Sequence, residues 1–216
     1  MRVVRTMMED GKSLLLRRNG EHLELVLGNV VLLSSAALET EHAFGRLARQ
    51  DGAPPPRRVV IGGLGFGATL HGVLSVAGPD TEVVVVEKLA CVIGLARAES
   101  AHLLGDALAD PRVVVRNADV ADVIAASTGT TAILLDVDNG PEWASFRTNA
   151  RLYGGDALAR ALAALEPGGR FAVWSGYPAD AFVGTLRKAG FLSSTIPLRE
   201  RGVVRARAYV GTRPND

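Results

Sequence analysis

The sequence predicts an α/β chain, a doubly wound and mostly parallel sheet with helices on both faces and a small N-terminal β-hairpin appendage. Three observations carry that expectation. Unbroken Val/Ile/Leu runs alternate with helical stretches after Pro56. Glycines crowd between the first of those runs and the segment behind it, in VVIGGLGFGATL (residues 59–70). The stretch DGAPPP (residues 51–56) stops regular structure and divides an appendage, 1–52, from a ligand-binding domain, 53–216.

Taken in order, SLLLRRNG and LELVLGNVVLL, within residues 13–33, are strand-like runs joined through Asn19-Gly20, a dipeptide of tight hairpin turns. A helix is expected from Ala36 to Gln50, ending near Gly52. Five strands follow as RVVIGG, EVVVVEK, RVVVRNA, TAILLDVD and RFAVWSG, with helical runs over 88–108, 153–165 and 178–189. In LEPGGRFAVWSG the Pro-Gly-Gly reads as a turn leading into the fifth strand. In RERGVVRARAY, Arg199, Arg201, Arg205 and Arg207 read first as the polar face of a late strand and second as an anion site.

Composition narrows the partners. Of 216 residues, 48% are hydrophobic and 22% charged, enough apolar material for a sizeable core. The net charge of +1 and the lack of a basic cluster interleaved with aromatics argue against nucleic acid. Cys91 is the single cysteine, which rules out an intrachain disulfide and suits a reducing cytoplasm. No apolar run approaches the ~20 residues of a membrane span, so a soluble, cytoplasmic protein without a membrane partner is expected. His22, His42, His71 and His102 show no ligand spacing with Cys91 or one another, so no metal site is expected.

The chemistry centres on the glycine loop. Gly62, Gly63, Gly65 and Gly67 let a backbone approach a ligand closely, or simply make a tight strand-to-helix turn. Glu87 ends the next strand about 20 residues on, where nucleotide-binding folds place a carboxylate for ribose hydroxyls. A solvated strand-end acid is the alternative, but the two features together point to a nucleoside. Asp119 beside Ala118 follows the third strand, where a carboxylate accepts an adenine amino hydrogen. Asp136, Asp138 and Asn139 follow the fourth, at the reacting end. A nicotinamide dinucleotide would use the same glycines and acid, yet no residue offers itself for hydride transfer.

The order GGLGFG, VVVVEK, DPRVVVRNADV, AILLDVDNGP, RLYGGDALARALAALEPGGRFAVWS resembles class I S-adenosylmethionine-dependent transferases, which share a Rossmann-like fold. More narrowly it is similar to the polyamine aminopropyltransferase (spermidine synthase) family over residues 11–192. The resemblance implies a cofactor site of Gly62, Gly63, Gly65, Gly67, Glu87, Ala118, Asp119 and Asp136. It implies S-adenosylmethionine or its decarboxylated form as cofactor, a small-molecule acceptor such as an amine, and a homodimer. Asp136 falls on the aspartate that orients and deprotonates the attacking amine, with Asp138 and Asn139 beside it as catalytic candidates.

Two departures bear on activity. The family's glycine loop carries an aspartate for the aminopropyl ammonium, and the ungapped alignment puts Gly65 there. The second acid after the fourth strand is displaced, with Asn139 where an aspartate is expected. The favoured expectation is therefore a transferase that moves a methyl or aminocarboxypropyl group from intact S-adenosylmethionine, or cyclises it. An aminopropyltransferase and a non-catalytic nucleoside-binding module are the alternatives. Glu39, Glu41 and His42 lie near the family's amine segment but read as a solvated helix face. Tyr153, Tyr177 and Trp143 are candidates to line the pocket, while Trp174 reads as core packing.

Overall fold

The computed structural model describes residues 1–9, 11–137, 140–141 and 147–215. Four strands, β1 (Arg2–Glu9), β2 (Lys12–Asn19), β3 (His22–Leu27) and β4 (Val30–Ser34), pair antiparallel in that order. The expected hairpin is thus half of a four-stranded sheet. MRVVRTMME is itself a strand, paired with β2 from Arg2↔Arg18 to Glu9↔Lys12. LELVLGNVVLL divides at Gly28 into β3 and β4. The helix expected over 36–50 shrinks to α1 (Glu39–Gly45) and a 3-10 turn (Arg46–Ala48).

The second sheet holds β5 (Arg58–Gly62), β6 (Glu82–Glu87), β7 (Val113–Asn117), β8 (Thr130–Leu135), β9 (Leu165–Ser175), β10 (Leu192–Glu200) and β11 (Val203–Thr212). Their order is β10-β11-β9-β8-β5-β6-β7, with β5 to β9 parallel and the last two antiparallel. Helices α2 (Ala68–Leu74), α3 (Ala90–Arg97), α4 (Ala101–Leu104), α5 (Val120–Ala125), α6 (Gly155–Ala164) and α7 (Ala181–Lys188) cover it. The run 88–108 is two helices rather than one. The Pro-Gly-Gly is no turn but an irregularity inside β9, where pairing jumps from Thr130↔Leu165 to Ala132↔Arg170.

Period-two geometry explains the unbroken apolar strands. Val59, Ile61, Val83, Val85, Ala132 and Leu134 face one core, shared with Phe44, Leu70, Leu95 and the inner residues Leu14, Leu16, Leu23 and Leu25 of the N-terminal sheet. Val60, Val84, Ile133, Leu135, Phe171 and Val173 face the other, against Ile124, Leu158 and Leu186. Both faces are covered, so both sets must be apolar. Among the described residues, no helix is long and apolar enough to cross a membrane.

Strand order reverses between β5 and β8, which opens a crevice at their carboxyl ends. Helices α1 and α2 meet beside it through two glycines. A Cβ on Gly45 would lie 2.1 Å from the Thr69 carbonyl oxygen, and one on Gly72 2.1 Å from the His42 carbonyl oxygen. Backbone contact this close admits no methyl group. Gly45→Ala is therefore expected to cost about 1–3 kcal/mol by forcing the helices apart. Denaturant unfolding measures it, and an unchanged midpoint would refute the crossing.

Candidate active site

A cavity of about 550 Å³ occupies the crevice, within the usual range for small-molecule sites. Its floor is the glycine loop and the ends of β6 and β8. The N-terminal sheet closes it from above through Leu14, Leu25, Leu27 and Leu33. Glu9 on β1 secures that roof, since its carboxylate accepts from the Ala90 and Cys91 amides at 3.3 and 2.9 Å. Those amides open α3, whose N-terminal N–H groups need an acceptor.

The four glycines have different work. Gly63 and Gly65 line the cavity; Gly62 and Gly67 lie behind it. A Cβ on Gly62 would meet Leu135 at 2.9 Å and one on Gly67 would meet Leu104 at 2.7 Å, so a side chain there would have to displace a core leucine, and Gly67 also sits at φ +86°. On Gly63, at φ +94°, a Cβ would strike the Asp136 carbonyl oxygen at 2.1 Å. That approach is held by Gly63 N–H to Val86 O and Asp136 N–H to Gly62 O, both 2.8 Å. Only Gly65 has room, its nearest neighbour being Leu33 Cδ2 at 3.6 Å.

Glu87 is 9% exposed and lines the cavity. Its Oε2 accepts from Leu64 N–H at 3.0 Å and its Oε1 from Leu89 N–H at 2.9 Å. Burial pushes its carboxyl above the ordinary value, while these amides oppose the rise. The Lys88 and Gly65 amides act on it too, so the carboxylate braces the loop, and the edge it turns to the cavity is where a ribose hydroxyl would be accepted. Glu87→Ala is expected to weaken nucleoside binding by more than ~1 kcal/mol. Unchanged calorimetric affinity would remove Glu87 from the site.

Ala118 and Asp119 line the same end. The Asp119 carboxylate, however, has partners of its own. Oδ1 caps α5 by accepting from Ala121 N–H at 3.0 Å, and Oδ2 pairs with Arg151 and, at 3.5 Å, with Lys88. An adenine amino group would have to share that oxygen with two cations, which the sequence did not suggest.

At the opposite end the structure gathers Asp136, Glu41 and Thr69. Thr69 Oγ1 donates to Asp136 Oδ2 at 2.6 Å, and Thr40 Oγ1 donates to Glu41 Oε2 at 2.6 Å. Burial first, then the neighbouring Glu41 charge, push Asp136 up to about 7, against the Thr69 hydrogen bond. Glu41 is raised as well, by burial first and also by Glu200. The solvated face expected for Glu39, Glu41 and His42 is thus corrected for Glu41 and His42, which are half-buried, while Glu39 is exposed as expected. Glu41 lines the cavity, and Glu39 clasps the β10–β11 turn through Arg201 N–H and Glu200. His42 lies with His71 beside a separate shallow groove.

Asp138 and Asn139 lie outside the described residues, as does Trp143. Tyr153 is packed against Phe182 and Tyr177 is on the surface, and neither lines the cavity. Trp174 packs on the core, as expected, and lines the cavity too, together with Arg205 and Glu200. Among the described residues no group of three or more His, Cys, Asp or Glu could hold a metal. Thr69 was missed altogether. Its only signal was a hydroxyl in the first turn behind the glycine loop.

No family model matches the sequence, and no curated protein matches it either. Solved structures do match. Spermidine synthase from Thermotoga maritima aligns with a TM-score of 0.77 at 18% identity, over 100% of this chain and 74% of that one. A spermidine synthase in complex with the transition-state analogue AdoDATO aligns at 0.76 and 17%, over 100% and 73%. TrmN from Thermus thermophilus aligns at 0.56 and 28%, over 80% of this chain and 48% of that one. The chain thus has a spermidine-synthase-like, Rossmann-like methyltransferase fold.

Proposed function

We propose that the protein is an S-adenosylmethionine-dependent transferase, moving a methyl or aminocarboxypropyl group to a small-molecule acceptor. One observation carries the choice of intact cofactor: of the two loop glycines that line the cavity, Gly65 has room for a side chain, its built Cβ meeting Leu33 at 3.6 Å, and carries none. Loss of a carboxylate there forgoes a charge-assisted bond of roughly 1.5–3 kcal/mol to an aminopropyl ammonium. The likeness to a spermidine synthase that holds AdoDATO supports a sulfonium-type ligand in this crevice.

The cavity suits such a ligand. Gly63 and Gly65 present bare backbone, Glu87 offers its carboxylate edge for the ribose, and Ala118 with Asp119 flank the adenine end. Bound there, S-adenosylmethionine supplies an activated carbon beside a sulfonium leaving group. The chain's residues supply positioning and a proton acceptor. Asp136, with its carboxyl near neutrality, takes the acceptor's proton, and the leucines of the N-terminal sheet exclude water from above.

Calorimetric titration with S-adenosylmethionine, its decarboxylated form, methylthioadenosine and NAD tests the proposal. Tightest binding of the intact cofactor is expected. Preference for the decarboxylated form would make the protein an aminopropyltransferase, and binding of NAD alone would end the transferase reading.

A further inference from the structure

Thr69 stands in an unusual place for a threonine. It lies in the first turn of α2, buried to 3% exposure, where a hydroxyl needs partners. Two are present. Its Oγ1 is 2.6 Å from Asp136 Oδ2 and 3.3 Å from the Glu41 carbonyl oxygen. A hydroxyl has one proton and accepts through its lone pairs, so it serves one of these acceptors at a time.

That arrangement accommodates both forms of Asp136. With the carboxylate ionised, Thr69 donates to it. With the carboxyl protonated, Asp136 donates to Thr69, and Thr69 turns its own proton to the Glu41 carbonyl. No polar atom is stranded in either state, and no heavy atom has to move. The glycine crossing of α1 on α2 holds this geometry, because Gly45 brings the backbone of α1 against Thr69.

We propose that Thr69 is a positioning residue for proton uptake at Asp136, turning its own hydroxyl hydrogen to the Glu41 carbonyl while Asp136 holds the proton, and that the Glu41 side chain tunes when that proton leaves. The inference rests on the transferase reading above and deepens it by naming what controls the proton acceptor. The groups acting on Asp136 come from separate elements: the Glu41 carboxylate on α1, the Thr69 hydroxyl on α2 and the Glu87 carboxylate at the end of β6. Glu200 at the end of β10 acts on Glu41 in turn. Glu41 and Glu87 disfavour a charge on Asp136, and the Thr69 hydrogen bond favours it.

Opposite signs follow for two substitutions. Thr69→Val keeps the shape but removes the donor, so Asp136 should hold its proton to higher pH. Glu41→Gln removes a like charge, so Asp136 should release its proton at lower pH. Carbon-13 NMR titration of the ligand-free protein reads this directly, with the Asp136 signal assigned by its loss in Asp136→Asn.

The expected result is an upward shift of at least ~0.5 pH unit in Thr69→Val, a downward shift of similar size in Glu41→Gln, and a parent-like titration in Thr69→Ser. Thr69→Val and Glu41→Gln shifting in the same direction, or either titrating like the parent, would overturn the proposal. If Thr69→Val fails to fold, Thr69→Ala removes the same donor and must give the same upward shift, a parent-like titration there overturning the proposal. The titration needs no cofactor. A failed titration alongside sound S-adenosylmethionine binding refutes only the roles given to Thr69 and Glu41, and the reverse refutes only the transferase reading.

Discussion

Asp136→Asn is expected to slow turnover at least about tenfold while leaving affinity for S-adenosylmethionine unchanged. The amide keeps the shape and can still accept from Thr69, but it cannot take a proton. The parent's rate should rise with pH through about 7, where the Asp136 carboxyl ionises, and this limb should vanish in the variant. Steady-state rates across pH, with calorimetry for the cofactor, separate the two effects. An undiminished rate would show that another group accepts the proton.

The same substitution has a stability consequence with a definite sign. In the unfolded chain this carboxyl ionises near the ordinary 3.8, in the folded protein near 7. Between those values the unfolded state releases a proton that the folded state keeps, so stability falls as pH rises through the interval. The full gap corresponds to roughly 4 kcal/mol. The carboxylate faces an open cavity, so solvent screening reduces this to about 1–3 kcal/mol. Asp136→Asn should therefore stabilise the ligand-free protein at pH 8 and not at pH 4. Denaturant melts at both pH values decide, and a variant less stable at pH 8 would contradict the burial argument.

Gly65→Asp should swing ligand preference toward decarboxylated S-adenosylmethionine by about ten- to a hundredfold relative to the parent. The added carboxylate would meet an ammonium tail favourably and a methionine carboxylate unfavourably, so both affinities move and their ratio moves most. The space around Gly65 permits the change, at some cost in backbone strain. Gly65 sits at φ +50°, a left-handed region that aspartate enters more readily than most residues, and its Cβ would make an ordinary contact with Leu33. The neighbouring Gly63 would not tolerate it, because any Cβ there collides with the Asp136 backbone. Titrating both ligands into parent and variant reads the ratio. No change would mean that Gly65 does not face the ligand's tail.

Much of the fold was legible because apolar patterning is local. Strands β5 to β8 follow directly from valine-rich runs that must be buried on both faces. The N-terminal sheet was only half legible, since β1 buries little beyond Met7 and its residues show no clean alternation. The Pro-Gly-Gly misled for a related reason. Those residues are turn formers in isolation, and only the pairing of Leu165 and Arg170 with β8, with Gly168 and Gly169 bonded to Arg213, draws them into an irregular strand.

The site divides in the same way. From sequence alone came the crevice's parts that lie on consecutive strand ends: the glycine loop, Glu87, Ala118 with Asp119, and Asp136. Their spacing is set by the βα repeat, and the repeat is written in the residue pattern. Which glycines meet a ligand was not legible, because Gly62 and Gly67 pack on Leu135 and Leu104, far away in the chain, and Gly67 also turns the backbone into α2 at φ +86°. Nor was the partnership of Asp136 with Thr69 and Glu41. Those three come from α1, α2 and the end of β8, and only a glycine-to-glycine helix crossing brings them within hydrogen-bonding and electrostatic range. Local pattern determines which elements form and what each carries to its end. The proton affinity of a carboxyl group depends on burial and on charges from distant segments, and only the tertiary structure decides those.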